Sequence, residues 1–159
     1  MKGNADVIAT LNGLLADEFT AIHTYVLHAE MCRNWGYYRL GGLIMKDARQ
    51  EMGHAEKHLE RILYLDGEPD VYKLDRMPVG KTVKELLETQ LGMERAAVAS
   101  YNKAVTQARN AGDTGTAEYL ETILQDEEEH EHFLETQLEL IQTLGAERYL
   151  AEQMHGGKE

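Results

Sequence analysis

Two Glu-x-x-His steps, Glu51–His54 and Glu127–His130, stand 127 − 51 = 76 residues apart. Each follows another glutamate by the same interval, 51 − 18 = 33 for Glu18 and 127 − 94 = 33 for Glu94. The 76-residue shift also lays Tyr25 on Tyr101. A repeat of this kind implies two similar halves related by a pseudo-twofold axis. In a helix, positions three apart lie about 60° apart around the axis, so each step aims a carboxylate and an imidazole at one point. The spacing alone is weak, because Glu129–His132 and Glu152–His155 show it as well. Its place within the repeat is what sets the first two steps apart.

The surrounding pattern is helical throughout and predicts an all-α chain. Apolar residues recur at the 3.6-residue period from about Val7 to Asn34, Arg39 to Leu65, Thr82 to Asn110 and Thr116 to Leu144. Thr82 with Glu85 three residues on reads as a capping box. Gly145 reads as a C-cap, with a short last helix from Ala146 to about Met154. The Trp35-Gly36 and Ala111-Gly112-Asp113 connections are short, so each joins antiparallel neighbours. The segment from Asp66 to Lys81 holds both prolines, Pro69 and Pro78, and is long enough to run the length of a bundle. Two antiparallel helix pairs joined by one long crossover follow.

The 159 residues suit a single domain, 1–159. A formal net charge of −12 repels a phosphate backbone, which argues against nucleic acid, and concentrates cations near the surface. No apolar run approaches the roughly 20 residues of a membrane span, and the N-terminus lacks the pattern of a secretory signal. Cys32 stands alone, so no intrachain disulfide forms; a reducing, cytoplasmic setting is expected.

Four glutamates and two histidines converging inside a bundle match two divalent cations. Four carboxylates neutralise two such ions, a carboxylate bridges two metals, and imidazole suits iron as a terminal ligand. The competing reading is an accidental set of surface residues on acidic helices. Inward placement without cations is disfavoured, because burying unpaired carboxylates is prohibitive.

At these residues the chain resembles a bacterioferritin over nearly its whole length. Met1-Lys2-Gly3 with Val7-Ile8, Leu11-Asn12, Leu14-Leu15 and Glu18 resembles that family's first helix. Glu51-Met52, His54-Ala55 and Glu60-Arg61-Ile62-Leu63 resemble its second, and Asp126-Glu127-Glu128, His130 and Leu134 to Leu138 its fourth. The resemblance implies a ferritin-like antiparallel four-helix bundle with a short fifth C-terminal helix. It implies iron storage and detoxification through a ferroxidase centre of Glu18, Glu51, His54, Glu94, Glu127 and His130, holding two Fe ions per subunit. Glu51 and Glu127 would bridge the ions, with Glu18–His54 and Glu94–His130 as terminal ligands. Fe(II) would be oxidised by dioxygen or hydrogen peroxide and mineral laid down inside a homo-oligomeric shell of twenty-four subunits, built from twofold dimers. A small ferredoxin is implied as reductant.

Met52 distinguishes this family from non-haem ferritins. It lies about 100° from Glu51 and about 160° from His54 around its helix, facing away from the centre. The resemblance makes it an axial haem ligand shared with its copy across a twofold interface, bordered by Phe19, His23, Met45, Arg49 and Gly53. An interface methionine filling a gap is the alternative. Tyr25, two turns from Glu18, is by resemblance a candidate electron donor and otherwise a buried tyrosine bonded to a carboxylate. Lys46 and Gln50 stand where some relatives carry inner-surface iron ligands, and neither is a good one. Two rivals share the bundle: a rubrerythrin-like iron or manganese peroxidase or oxidase, and a shell protein with an inert centre.

Overall fold

A computed structural model describes residues 1–156. Its helices are α1 Ala5–Asn34, α2 Tyr38–Tyr64, α3 Val83–Asn110, α4 Thr114–Leu144 and α5 Ala146–Glu152. Among the described residues there is no strand. Among the described residues, too, no helix is long and apolar enough to cross a membrane.

Three of the helix starts have a side-chain cap. Asn4 Oδ1 accepts from the backbone N–H of Asp6 and Val7 at 2.8 and 3.2 Å, opening α1 two residues before the apolar pattern begins. Thr82 Oγ1 accepts from Glu85 N–H at 3.2 Å, while Glu85 Oε2 accepts from Lys81 N–H at 2.6 Å. The capping box therefore closes one residue earlier than its usual form. α4 begins at Thr114 rather than Thr116, because Asp113 Oδ1 takes the Thr116 N–H at 3.0 Å. Thr116 Oγ1 instead donates to Asp113 Oδ2 at 2.6 Å and accepts from Arg61 Nε at 2.8 Å. At Gly145 the backbone takes φ 80°, which ends α4 and turns the chain into α5.

α1 pairs along α2 and α3 along α4, with α1 also against α3. The crossover between the pairs has no helix of its own and is tied to α1. Asn12 Oδ1 accepts from Asp70 N–H at 2.7 Å, and Asn12 Nδ2 donates to the Glu68 carbonyl at 3.1 Å. Farther along, Thr20 Oγ1 accepts from Asp75 N–H at 3.0 Å.

The core falls into two apolar clusters, and the break between them positions the site. One holds Leu11, Leu15, Ala55, Ile62, Ala104, Ala108, Leu120 and Ile123. The other holds Ile44, Ala48, Leu87, Leu91, Leu134 and Ile141. On α2 the switch comes between Ala48 and Ala55, on α3 between Leu91 and Tyr101, and on α4 between Ile123 and Leu134. Glu51 and His54, Glu94, and Glu127 and His130 occupy those gaps, with Glu18 level with them on α1. A polar layer thus crosses the bundle.

α1 and α2 approach closely at Gly41, where an added Cβ would stand 2.9 Å from the Ala29 carbonyl and 2.8 Å from Arg33 Cγ. Backbone cannot swing aside as a side chain can. Gly41→Ala is expected to lower stability by about 1–3 kcal/mol, read from the midpoint of denaturant unfolding; an unchanged midpoint would show that the pair separates freely.

Candidate metal centre

All six predicted residues come together from four helices, each with less than a tenth of its surface exposed. His54 Nδ1 lies 2.8 Å from Glu51 Oε2, 3.0 Å from Glu127 Oε1 and 3.9 Å from Glu18 Oε2. His130 Nδ1 lies 3.0 Å from Glu51 Oε1, 3.8 Å from Glu94 Oε1 and 4.0 Å from Glu127 Oε2. The two rings are 6.5 Å apart. The surface steps behave differently: Glu129, His132, Glu152 and His155 are all exposed.

The donor atoms fall into two interlocking groups. Glu18, Glu51, His54 and Glu127 form one, and Glu51, Glu94, Glu127 and His130 the other, each with its atoms within 4.8 Å of one another. Glu51 and Glu127 belong to both. Glu51 Oε1, Glu127 Oε1 and His130 Nδ1 are buried and make no hydrogen bond, since their close approaches are misaligned. Buried carboxylate oxygens and a ring nitrogen left without partners at a shared centre suit cations.

The outer ring nitrogens are held by residues whose orienting role the sequence does not reveal. His54 Nε2 sits 3.0 Å from Asp126 Oδ2 and His130 Nε2 3.2 Å from Gln50 Oε1. Each partner accepts at Nε2, which fixes the ring and leaves Nδ1 directed inward. Gln50, expected only as a poor inner-surface ligand, has this orienting contact; Lys46 is exposed. Tyr25 Oη donates to Glu94 and Tyr101 Oη donates to Glu18. The 76-residue shift paired those tyrosines, but Tyr101 carried no role of its own until its contact was seen. His58, fully buried beside Tyr101, gave no sequence signal beyond its helical position.

Burial pushes the Glu94 carboxyl well above the usual range, helped by the neighbouring Glu127. Burial likewise raises Glu51 and Glu127, against the opposing pull of the neighbouring imidazoles. Glu18 moves the other way: burial raises it, but the neighbouring imidazoles of His58 and His54 outweigh burial and hold it low. Burial would lower both imidazoles, yet the carboxylates win. Glu127 and Glu51 bring His54 up to about 11, and Glu51 brings His130 up to about 9. Without cations, both rings therefore carry protons at neutral pH.

A cavity of about 440 Å³ reaches Glu18, Glu51, Glu94 and Glu127 from the α1–α3 side. Asp17, Asp75 and Glu88 line it farther out, beside Met77 and Pro78 of the crossover.

On the outer face of α2, Met52 is 43% exposed. Of the residues expected to border it, His23 and Arg49 are exposed, and Phe19, Met45 and Gly53 are half-buried. An added Cβ at Gly53 would meet nothing within 4 Å. His23 Nδ1 donates to its own helix, to the Phe19 carbonyl at 2.6 Å.

Comparison with known proteins adds the family. The model of the ferritin-like domain matches residues 8–144. The chain is 40% identical over 152 residues to the bacterioferritin of Mycobacterium bovis and to bacterioferritin BfrA of Mycobacterium tuberculosis, covering 96% of this chain and 96% of each relative. It is 38% identical over 149 residues to the bacterioferritin of Rhodobacter capsulatus, covering 94% of this chain and 92% of that one. With its five helices and one crossover in the order this fold requires, the chain belongs to the ferritin-like domain family and, within it, to the bacterioferritins.

Proposed function

We propose that this protein stores iron and keeps ferrous ion from accumulating, by oxidising Fe(II) to Fe(III) at the six-residue centre and depositing the product inside a hollow shell of its own copies. The observation that carries this reading is the pair of interlocking donor groups sharing Glu51 and Glu127. In it, Glu51 and Glu127 bridge two ferrous ions. Glu18 and His54 complete one ion's surroundings, and Glu94 and His130 the other's. Four carboxylates offset the charge of two divalent ions, which is what a buried anionic layer needs.

The chain's own groups then set the chemistry. Loading requires the Nδ1 lone pairs, so the protons on His54 and His130 must leave. Asp126 and Gln50 hold the rings in place as they do. Tyr25, bonded to Glu94, stands ready to supply an electron beyond those of the two ferrous ions. Dioxygen or hydrogen peroxide is the oxidant, reached through the α1–α3 cavity. Acidic groups along that cavity favour a cation over an anion.

The outer face of α2 fits haem by the chemistry of its donors: an exposed thioether at Met52, an open glycine beside it, and the cationic Arg49 for carboxylate arms. Met52 would ligate one side and its copy across a twofold interface the other. Bound there, haem supplies an electron-transfer group for releasing iron by reduction, with a small ferredoxin as donor.

Three outcomes are expected. In ferrous titration of metal-free protein in air, near-ultraviolet absorbance should show a fast phase saturating at about two ions per chain, followed by slow mineral growth. Replacing Glu18 and His54 by Ala should bring the fast phase down to the protein-free rate while the shell still assembles; unchanged fast oxidation would sink the centre, and fast oxidation without mineral growth would favour a small di-iron oxidase or peroxidase. Second, cobalt affinity should rise with pH. Both imidazoles are raised in the ion-free protein and must deprotonate on loading, so each costs about tenfold per pH unit below its own value. The rise should slacken above pH 9, where His130 has already lost its proton; affinity flat between pH 6 and 8 would remove the histidines from the ligand set. Third, Met52→His should change the absorption spectrum of bound haem, and an identical spectrum would exclude Met52 as the ligand.

A further inference from the structure

The polar chain at Tyr101 does not end at its carboxylate. Tyr101 Oη donates its proton to Glu18 Oε1, so toward His58 Nε2, 2.6 Å away, it acts as acceptor. A neutral imidazole that donates at Nε2 accepts at Nδ1. There Tyr119 Oη lies at 3.0 Å. With His58 as the tautomer protonated at Nε2, the three bonds share one direction: Tyr119 to His58, His58 to Tyr101, Tyr101 to Glu18. The His58 ring centre lies 5.8 Å from each phenol ring, nearly parallel to Tyr101 at 20° and edge-on to Tyr119 at 65°. His58 and Tyr101 are buried, and Tyr119 is half-buried.

The other half of the repeat lacks this line. The same shift takes His58 to 58 + 76 = 134 and Tyr119 to 119 − 76 = 43, and those positions are Leu134 and Leu43. Tyr25 donates to Glu94 and packs in the same apolar cluster as Leu134. A leucine therefore serves the fold at the equivalent site. Burying an imidazole and two phenols costs desolvation that packing does not require.

We propose that Tyr119, His58 and Tyr101 form a proton path that carries protons to Glu18 while the oxidant is reduced at the centre. This rests on the oxidation reading given above. Two ferrous ions give up two electrons; hydrogen peroxide takes both together with two protons and leaves as two waters. Each passage delivers one proton, so two serve one peroxide: the Tyr101 phenol proton moves to Glu18, which hands it to a peroxide oxygen, the His58 Nε2 proton moves to Tyr101, and the Tyr119 proton to His58 Nδ1. Water then replaces the proton on Tyr119. No net charge stays on the path, and all three bonds are inverted. Rotation of the hydroxyls and return of the imidazole tautomer restore the first arrangement. His58 and Tyr119 act through Glu18, as positioning residues.

The test uses full-length assembled protein with His58→Leu, the residue of the other half, and Tyr119→Phe, which keeps the ring and removes the hydroxyl. Cobalt absorbance reads occupancy, and anaerobic rapid mixing of the ferrous-loaded protein with hydrogen peroxide reads oxidation, in light and heavy water. Both variants should bind cobalt at the parent's stoichiometry and oxidise on the order of a hundredfold more slowly, the scale of a positioned proton donor. Their slowing in heavy water should exceed the parent's, because proton supply has become limiting. Parental rates in both variants would overturn the path, with protons then arriving through the α1–α3 cavity. Slowing with the parent's isotope effect, or loss of cobalt from both, would make His58 and Tyr119 supports of the centre instead. A parent that does not oxidise ferrous ion at all would fail before any variant is compared, and that failure belongs to the oxidation reading.

Discussion

Four carboxylates from four helices meet in one buried layer, and the rest of the bundle is arranged around holding them there. Each buried ion carries a desolvation cost of several kcal/mol that must be offset locally. Without cations the offset comes from protons. His54 and His130 keep theirs, Glu94 is pushed toward its neutral form, and two phenols donate into Glu18 and Glu94. Protons and cations thus compete for the same lone pairs. Because the layer adds little apolar burial, stability must come from the clusters on either side. The two clusters fix the register of every helix, and register brings the six side chains to one level.

The pseudo-twofold relation gives the centre its symmetric part and shows what has been altered in each half. Glutamates, tyrosines and histidines at the centre all have a counterpart 76 residues away. The orienting groups have one too, since 126 − 76 = 50 relates Asp126 to Gln50. Their chemistry differs. A carboxylate facing His54 brings a negative charge to its bond, whereas the amide facing His130 brings none. The two donor groups are therefore alike in residue type and unlike in electrostatic support. His54 is also the more strongly protonated of the pair.

Much of this could be read from the sequence because helical periodicity and the repeat constrain each other. The helix order, the crossover and the convergence of the six residues all follow from which side chains share a face. The limits lie where a contact depends on a neighbouring helix. Asp126 precedes Glu127 and points about 100° away from it around α4, so its own helix gives no hint that it meets His54 on α2. Gln50 was legible only as a weak ligand, because the ring it orients belongs to α4. His58 lies seven residues after Glu51 on the same face, which marks it as inward but not as the partner of two tyrosines. The start of α4 moved to Thr114 for a local reason, the choice of Asp113 over a threonine as cap.

The centre opens in different directions for different traffic. The cavity runs between α1 and α3, beneath the crossover, and its outer acidic groups suit a cation. The hydrogen-bonded line leaves through His58 on α2 and Tyr119 on α4, a route closely packed with side chains. A cation needs room and negative groups along its way, because it moves with part of its hydration. A proton needs neither; it needs donors and acceptors in unbroken contact. Placing the two on separate faces lets the apolar cluster around Ile62, Leu120 and Ile123 close over the second route while the first remains open. Tyr101 belongs to both, since it lines the cavity and donates to Glu18. On the proposed reading it is the residue through which loading by cations and supply of protons are coupled.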